Sequence, residues 1–142
     1  MNQRKSPALP AGAVPGLAPV SRTITQQQLD DYARASGDLN PLHLDPEFAA
    51  GTQFGGIIAH GMLTLAFIAE MMLAAFGRPW LESGSLKVRF KGAARVGDRV
   101  EAWGRVERRV QEPDCQLIVC SVGVRNQENG QEIISGTATL KA

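Results

Sequence analysis

Asp38 and His43 are separated by four residues, among them Asn40 and Pro41. A carboxylate and an imidazole held close together can take up a proton and give one back, which is the requirement of general acid–base chemistry. The intervening chain favours such an approach. Pro41 disfavours helical geometry at Asn40 and extends the chain there, so the two side chains flank a tight connection and can point into one space. A plainer reading stands beside this one: Gly37 with Asp38 and Asn40 with Pro41 are ordinary turn chemistry, and His43 is then a surface residue. A third position bears on the choice. Gly61 heads the most apolar stretch of the chain, and a glycine there lets a ligand approach the free N–H groups of a helix N-terminus. Those donors, with the positive end of the helix dipole, can stabilise an oxyanion. The alternative is that Gly61 serves only close packing.

These residues lie in one segment, Ser36 to Gly61, which also holds both histidines of the protein, His43 and His60. The elements around it have recognisable punctuation. Val20 to Thr23 has the composition of a short strand. Thr25 and Gln28 match a capping box, with Ile24 and Leu29 placed as a hydrophobic staple. Leu29, Tyr32 and Ala33 then form one apolar stripe of a helix that Gly37 ends. Asp45, Pro46 and Glu47 restart a short helix, with Asp45 as its cap and Gly51 as its stop. From Gly61 to Phe76 only Thr64 and Glu70 are polar. The spacing predicts a helix of about 24 Å, apolar nearly all round and therefore buried, closed by Gly77 and Pro79. Met62, Met71 and Met72 read as core filler.

The last sixty-odd residues are strand-like. Leu86, Val88 and Phe90 alternate with Lys87, Arg89 and Lys91, the period of a sheet with one buried face. Turns at Val96–Asp98 and Glu112–Asp114 bound a long strand broken by Gly104. Asn129-Gly130 is a strong hairpin signal between two further strands. One short strand, helices, a long apolar helix and four strands predict an α+β domain in which an antiparallel sheet wraps one central helix.

Composition narrows the classes. A chain of 142 residues with 44% apolar and 20% charged residues fits one domain with a real core. A net charge of +1 gives no reason to expect nucleic acid or an anionic membrane surface as partner. Two cysteines, Cys115 and Cys120, make no disulfide framework; free thiols fit a reducing compartment, and a cytoplasmic location is expected. Four of the eight prolines fall in the first twenty residues, so residues 1–18 are expected to be a disordered tail and 19–142 the folded domain. Prolines interrupt any signal-peptide core, and no stretch has the length of a membrane span. A metal site is not expected, because the two histidines stand seventeen positions apart with no thiol nearby.

The run Y-A-R-A-S-G-D-L-N-P-L-H, followed by A-H-G-M at the head of an apolar helix, closely resembles the MaoC-like dehydratases. More narrowly it resembles the (R)-specific enoyl-CoA hydratases and (R)-3-hydroxyacyl-thioester dehydratases. The match is clear over Thr25 to Phe76 and rests on pattern alone in the strands. The resemblance implies a hot-dog fold and reversible hydration of trans-2-enoyl thioesters, carried on coenzyme A or acyl carrier protein, without metal or redox cofactor. It implies that Asp38 and His43 hold a water molecule between them and that the Gly61 N–H binds the thioester carbonyl. Asn40 takes a supporting role, and His60 a structural one with a ligand contact as the alternative. Some relatives carry a polar residue where this chain has Ala69, which leaves the hydrogen bonding around the pair open. Lys87 and Arg89, with Lys91 and Arg95, are candidates for gripping carrier phosphate. A homodimer is expected, with a heterodimer of related subunits as the other arrangement. Phe54, Phe67 and Trp80 are candidates for shaping the acyl tunnel. Two competing functions remain: a thioesterase, for which Glu70 is the only acid on the central helix, and a non-catalytic partner subunit.

Overall fold

A computed structural model describes residues 16–142. The chain forms β1 (Val20–Thr23), α1 (Gln26–Ser36), a 3-10 turn (Pro41–His43), α2 (Pro46–Ala50), α3 (Gly61–Phe76), α4 (Arg78–Ser83), β2 (Ser85–Phe90), β3 (Arg99–Gln111), β4 (Gln116–Asn126) and β5 (Glu132–Lys141). The five strands make one sheet in the order β1-β3-β4-β5-β2, every neighbouring pair antiparallel. The sheet packs around α3, which is the hot-dog arrangement expected. Most of the expected tail, residues 1–15, lies outside the described residues. At its end the chain already runs along the sheet: Gly16 bridges Arg105, and the Leu17 N–H donates to the Gly104 carbonyl at 2.9 Å.

The local signals act as read. Thr25 and Gln28 exchange both capping-box hydrogen bonds at 3.2 Å, Ile24 and Leu29 are buried, and Gly37 ends α1 at φ 79° with its N–H on the Ala33 carbonyl. Asp45 Oδ1 accepts from the N–H groups of Glu47 and Phe48, so α2 starts where its cap is. In the β4–β5 hairpin, Asn126 Oδ1 accepts from Glu128 and Asn129 while Gly130 takes φ 73°.

Both cysteines are free as expected, Cys115 just before β4 and Cys120 buried within it. Two expectations change. Gly104 does not break β3, which continues from Arg99 to Gln111. A Cβ there would stand 2.8 Å from Met71 Cε, so the glycine lets α3 lie against the strand; the register shift comes later, between Val106 and Arg108. Finally, α3 is not buried all round. Phe67, Ile68, Met71 and Met72 enter the core with Val100, Val122 and Ile134, each large side chain contributing about 1.5–3 kcal/mol by its burial. Its other face, including Met62 (56% exposed) and Leu73, has no covering element among the described residues. One curved sheet can cover only one side of a helix.

Candidate active site

The loop after α1 is shaped by short-range hydrogen bonds. The Asp38 N–H donates to Ser36 Oγ, the Asn40 N–H to Asp38 Oδ1, and the Leu42 N–H to Asn40 Oδ1, all between 3.0 and 3.2 Å. Asn40 thus caps the 3-10 turn that Pro41 opens. The turn delivers His43 into the interior, where the ring is buried while Asp38 remains 51% exposed. His43 is therefore not a surface residue. Its Nδ1 lies 2.7 Å from the Ile58 carbonyl. A carbonyl can only accept, so Nδ1 carries the proton and Nε2 of the neutral ring is a bare lone pair. That Nε2 faces Asp38 Oδ2 at 4.0 Å, too long for a direct hydrogen bond and short enough for one water molecule to touch both.

The second segment, residues 57–61, threads between this turn and the loop before β3. The Ala59 N–H donates to the Ala94 carbonyl at 2.7 Å, the Ile58 N–H reaches the Leu42 carbonyl at 3.4 Å, and Ile58 bridges Arg95. His60 occupies the N-cap position of α3 and offers no side-chain cap; its carbonyl accepts from the Leu63 and Thr64 N–H groups, which leaves the Gly61 and Met62 N–H groups without an acceptor from the capping residue. Instead the His60 side chain turns back: its Nε2 lies 3.2 Å from the Asp38 carbonyl, its ring stacks on His43 with centroids 3.9 Å apart, and Tyr32 packs against it at 4.8 Å. Burial pushes the His60 imidazole below its usual value, against the upward pull of the bond to the Asp38 carbonyl. The ring is neutral and protonated on Nε2. Its Nδ1 is buried with no hydrogen-bond partner among the described residues, an arrangement that costs about 1–3 kcal/mol.

A cavity of about 350 Å³ opens over these groups, lined among others by His43, Phe54, Gly61, Thr64, Phe90 and Ile133. The Thr64 hydroxyl donates to the Gly61 carbonyl at 2.7 Å and fastens the helix head. Phe90, read from the strand alternation as core, is instead 52% exposed. It lies across Gly61, where an added Cβ would meet its ring at 3.1 Å. The cavity therefore joins an apolar wall, a helix N-terminus and the His43 imidazole, with the Asp38 carboxylate 4.0 Å from that ring.

Several expected residues go elsewhere. Lys87 and Arg89 line a separate surface depression with Ser135 and Thr137 and do not border the cavity. The alternation explains why: in β2 they point to the face opposite Leu86 and Val88, which pack toward the core. Lys91 does border the cavity and pairs with Glu132 at 3.1 Å. Arg95 is spent on structure, donating to the Phe54 carbonyl. Phe54 lines the cavity as expected, while Phe67 and Trp80 join the hydrophobic core. Glu70 pairs with Arg22, on the side of α3 toward β1, the sheet edge opposite β2. Sequence reasoning missed Thr64 and the placement of Phe90; a polar residue one turn into an apolar helix was the available signal for the first.

Asp38, His43 and His60 each bring one ligand atom within 4.8 Å of the others, a spacing seen around metal ions. The donor geometry does not suit one. The two rings are 26° from parallel, so their in-plane lone pairs run side by side rather than converging on a tetrahedral centre, and one nitrogen of each is engaged by a carbonyl.

Comparison with known proteins places this geometry in context. Residues 12–139 match the family described as MaoC like domain. The chain is 30% identical over 123 residues to the 3-hydroxybutyryl-CoA dehydratase of Methylorubrum extorquens, covering 86% of this chain and 75% of that one. It is 42% identical over 84 residues to the 3-hydroxyacyl-thioester dehydratase Z of Mycobacterium tuberculosis, covering 56% of each. Its fold superposes on the (R)-hydratase of Aeromonas caviae with a TM-score of 0.75 at 30% identity, over 92% of this chain and 97% of the other.

Proposed function

The chain belongs to the MaoC-like domain family, and from that premise we propose that it is a hydro-lyase adding water reversibly to trans-2-enoyl thioesters to give (R)-3-hydroxyacyl thioesters. The observation that carries the reading is the 4.0 Å separation of Asp38 Oδ2 and His43 Nε2 beside the cavity at the head of α3. Both atoms are acceptors. A water molecule between them gives one O–H to each, and its lone pairs are left facing the substrate. The thioester carbonyl accepts from the Gly61 N–H, which stabilises the negative charge that grows on that oxygen. The water oxygen bonds to C3, the π pair moves toward C2 and the carbonyl, and the pair of side chains takes a proton from the water and passes one to C2, which leaves the pair as it began. Dehydration is the same path reversed. No step calls for a metal or a redox cofactor.

Coenzyme A and acyl carrier protein both remain carriers consistent with this chemistry. Lys87 and Arg89 are not assigned to the carrier, since they lie off the cavity. The thioesterase reading fails on Glu70, which Arg22 engages away from the cavity. A partner subunit without catalysis has no use for a paired Asp38 and His43. We infer a dimer as well: the outward face of α3, with Met62 and Leu73 exposed, and the free edge of β2 both await cover, and sedimentation of the purified chain tests it. The activity is tested with crotonyl-CoA, followed by loss of enoyl-thioester absorbance with the product resolved by chirality. Formation of the (R)-3-hydroxy product is expected. Release of free thiol without hydration would overturn the reading.

A further inference from the structure

His60 lies outside the cavity lining and is 1% exposed, so it does not touch substrate. It nevertheless contacts both members of the reacting pair, at the main chain of Asp38 and at the ring of His43. We propose that His60 is a positioning residue: its ring lies against His43 while its Nε2–H holds the Asp38 carbonyl, and that hydrogen bond sets the gap across which the carboxylate and the imidazole share water. This deepens the hydratase reading and rests on it.

Four observations support the assignment. Among the described residues, the bonds of Asp38 and Asn40 otherwise reach only two or three residues, whereas Leu42 and His43, at the end of the loop, are held by Ile58 and Gln26; the bond from His60 is the one that anchors the Asp38 carbonyl to a distant element. The anchor stands immediately before Gly61, so the same residue registers the loop against the head of α3. Packing alone does not account for an imidazole here, because an apolar ring of that size would fill the space without leaving Nδ1 orphaned. What the imidazole adds is the donor on its other nitrogen. The tautomers are complementary as well: His60 is protonated on Nε2 and His43 on Nδ1, each by the carbonyl it meets.

Two variants separate the donor from the ring. His60→Gln keeps an N–H near the position of Nε2 and loses the aromatic face; His60→Phe keeps a flat ring and loses the donor. With crotonyl-CoA, His60→Phe is expected to lower kcat about tenfold to a hundredfold with KM unchanged, as displacement of a reacting group does. His60→Gln is expected to stay within about threefold of the parent kcat. A His60→Phe protein at the parent rate, or two folded variants that fail equally, would overturn the assignment. Nitrogen-detected NMR supplies a readout independent of turnover, since the chain has only two histidines. It should show His60 protonated on Nε2 and His43 on Nδ1 in the parent, and His43 still on Nδ1 in His60→Phe, where the Ile58 carbonyl remains its partner. Protonation of His60 on Nδ1 would refute the proposal even if the variants proved too unstable to assay. A parent protein that hydrates nothing yet gives the expected NMR would sink the hydratase reading while leaving the His60 contacts established.

Discussion

Residues 38–43 and residues 58–61 supply the two sides of one cavity, and they are held by different kinds of contact. In the first, the bonds that give the loop its shape span two or three positions: the N–H groups of Asp38, Asn40 and Leu42 donate to the Ser36, Asp38 and Asn40 side chains, and the His43 N–H donates to the Asn40 carbonyl. In the second they span fifteen positions from Ile58 to His43, twenty-two from His60 to Asp38, and reach Ala94 from Ala59. The difference assigns separate work to each segment. The loop makes a local shape that brings a carboxylate and an imidazole round to one side. The helix head decides where that shape sits relative to the N–H donors of α3. Chemistry needs both, because a correctly shaped pair in the wrong register has no carbonyl in front of it.

The comparison can be broken most severely within the loop. His43→Gln removes the lone pair that faces Asp38 and should lower kcat by about 10²–10⁴-fold, the usual contribution of a general acid or base, while circular dichroism shows the fold retained. The helix head should respond less to a change that keeps its N–H. Gly61→Ala places a methyl 3.1 Å from the Phe90 ring, and because that ring is half-exposed it can shift into the cavity. The expected loss in kcat/KM is about tenfold, and Phe90→Ala in the same chain should recover most of it. Recovery would show that the glycine is needed for space; no recovery would show that it is needed for the backbone position itself.

Stability should register the local bonds next. Asn40→Ala removes the cap of the 3-10 turn and is expected to cost about 1 kcal/mol in chemical denaturation, with activity falling because the turn that aims His43 loosens. The smallest effect is a pH dependence. His60 titrates below its usual value in the folded state because it is buried, so the unfolded chain binds the proton more tightly. Its contribution is fully present above the ordinary imidazole pKa of 6.5 and is lost as pH falls below that value toward the folded-state one. The groups facing the ring are His43, Asp38 and Tyr32. Denaturation midpoints measured from pH 8 downward should therefore decline below about pH 6.5, and His60→Gln should flatten that decline.

What could be read in advance follows the same division. Thr25, Gln28 and Gly37 mark the limits of α1, Asp45 caps α2, and Asn129-Gly130 turns the hairpin, because each acts on backbone groups within a few residues. The approach of Asp38 to His43 was only partly legible in this way: the residues alone left a surface histidine as the alternative, and the family resemblance singled out the pair. The tertiary placements were not legible. Phe90 follows the alternation of a core strand, yet it ends that strand beside Gly61 and becomes cavity wall. Lys87 and Arg89 share a strand face, and the sheet turns that face away from the cavity. The apolar composition of α3 promised burial on all sides, but the sheet wraps only one of them. His60 gave no local signal of its bond to the Asp38 carbonyl, which depends on where the helix head meets the loop.

The central claim is that Asp38 and His43 act as a unit on one water molecule. The most direct test is a double-mutant cycle of Asp38→Asn and His43→Gln in crotonyl-CoA hydration. Groups that act together are lost together, so the double variant should be about as slow as the slower single one. Losses that multiply across the two substitutions, or an Asp38→Asn protein near the parent rate, would contradict it.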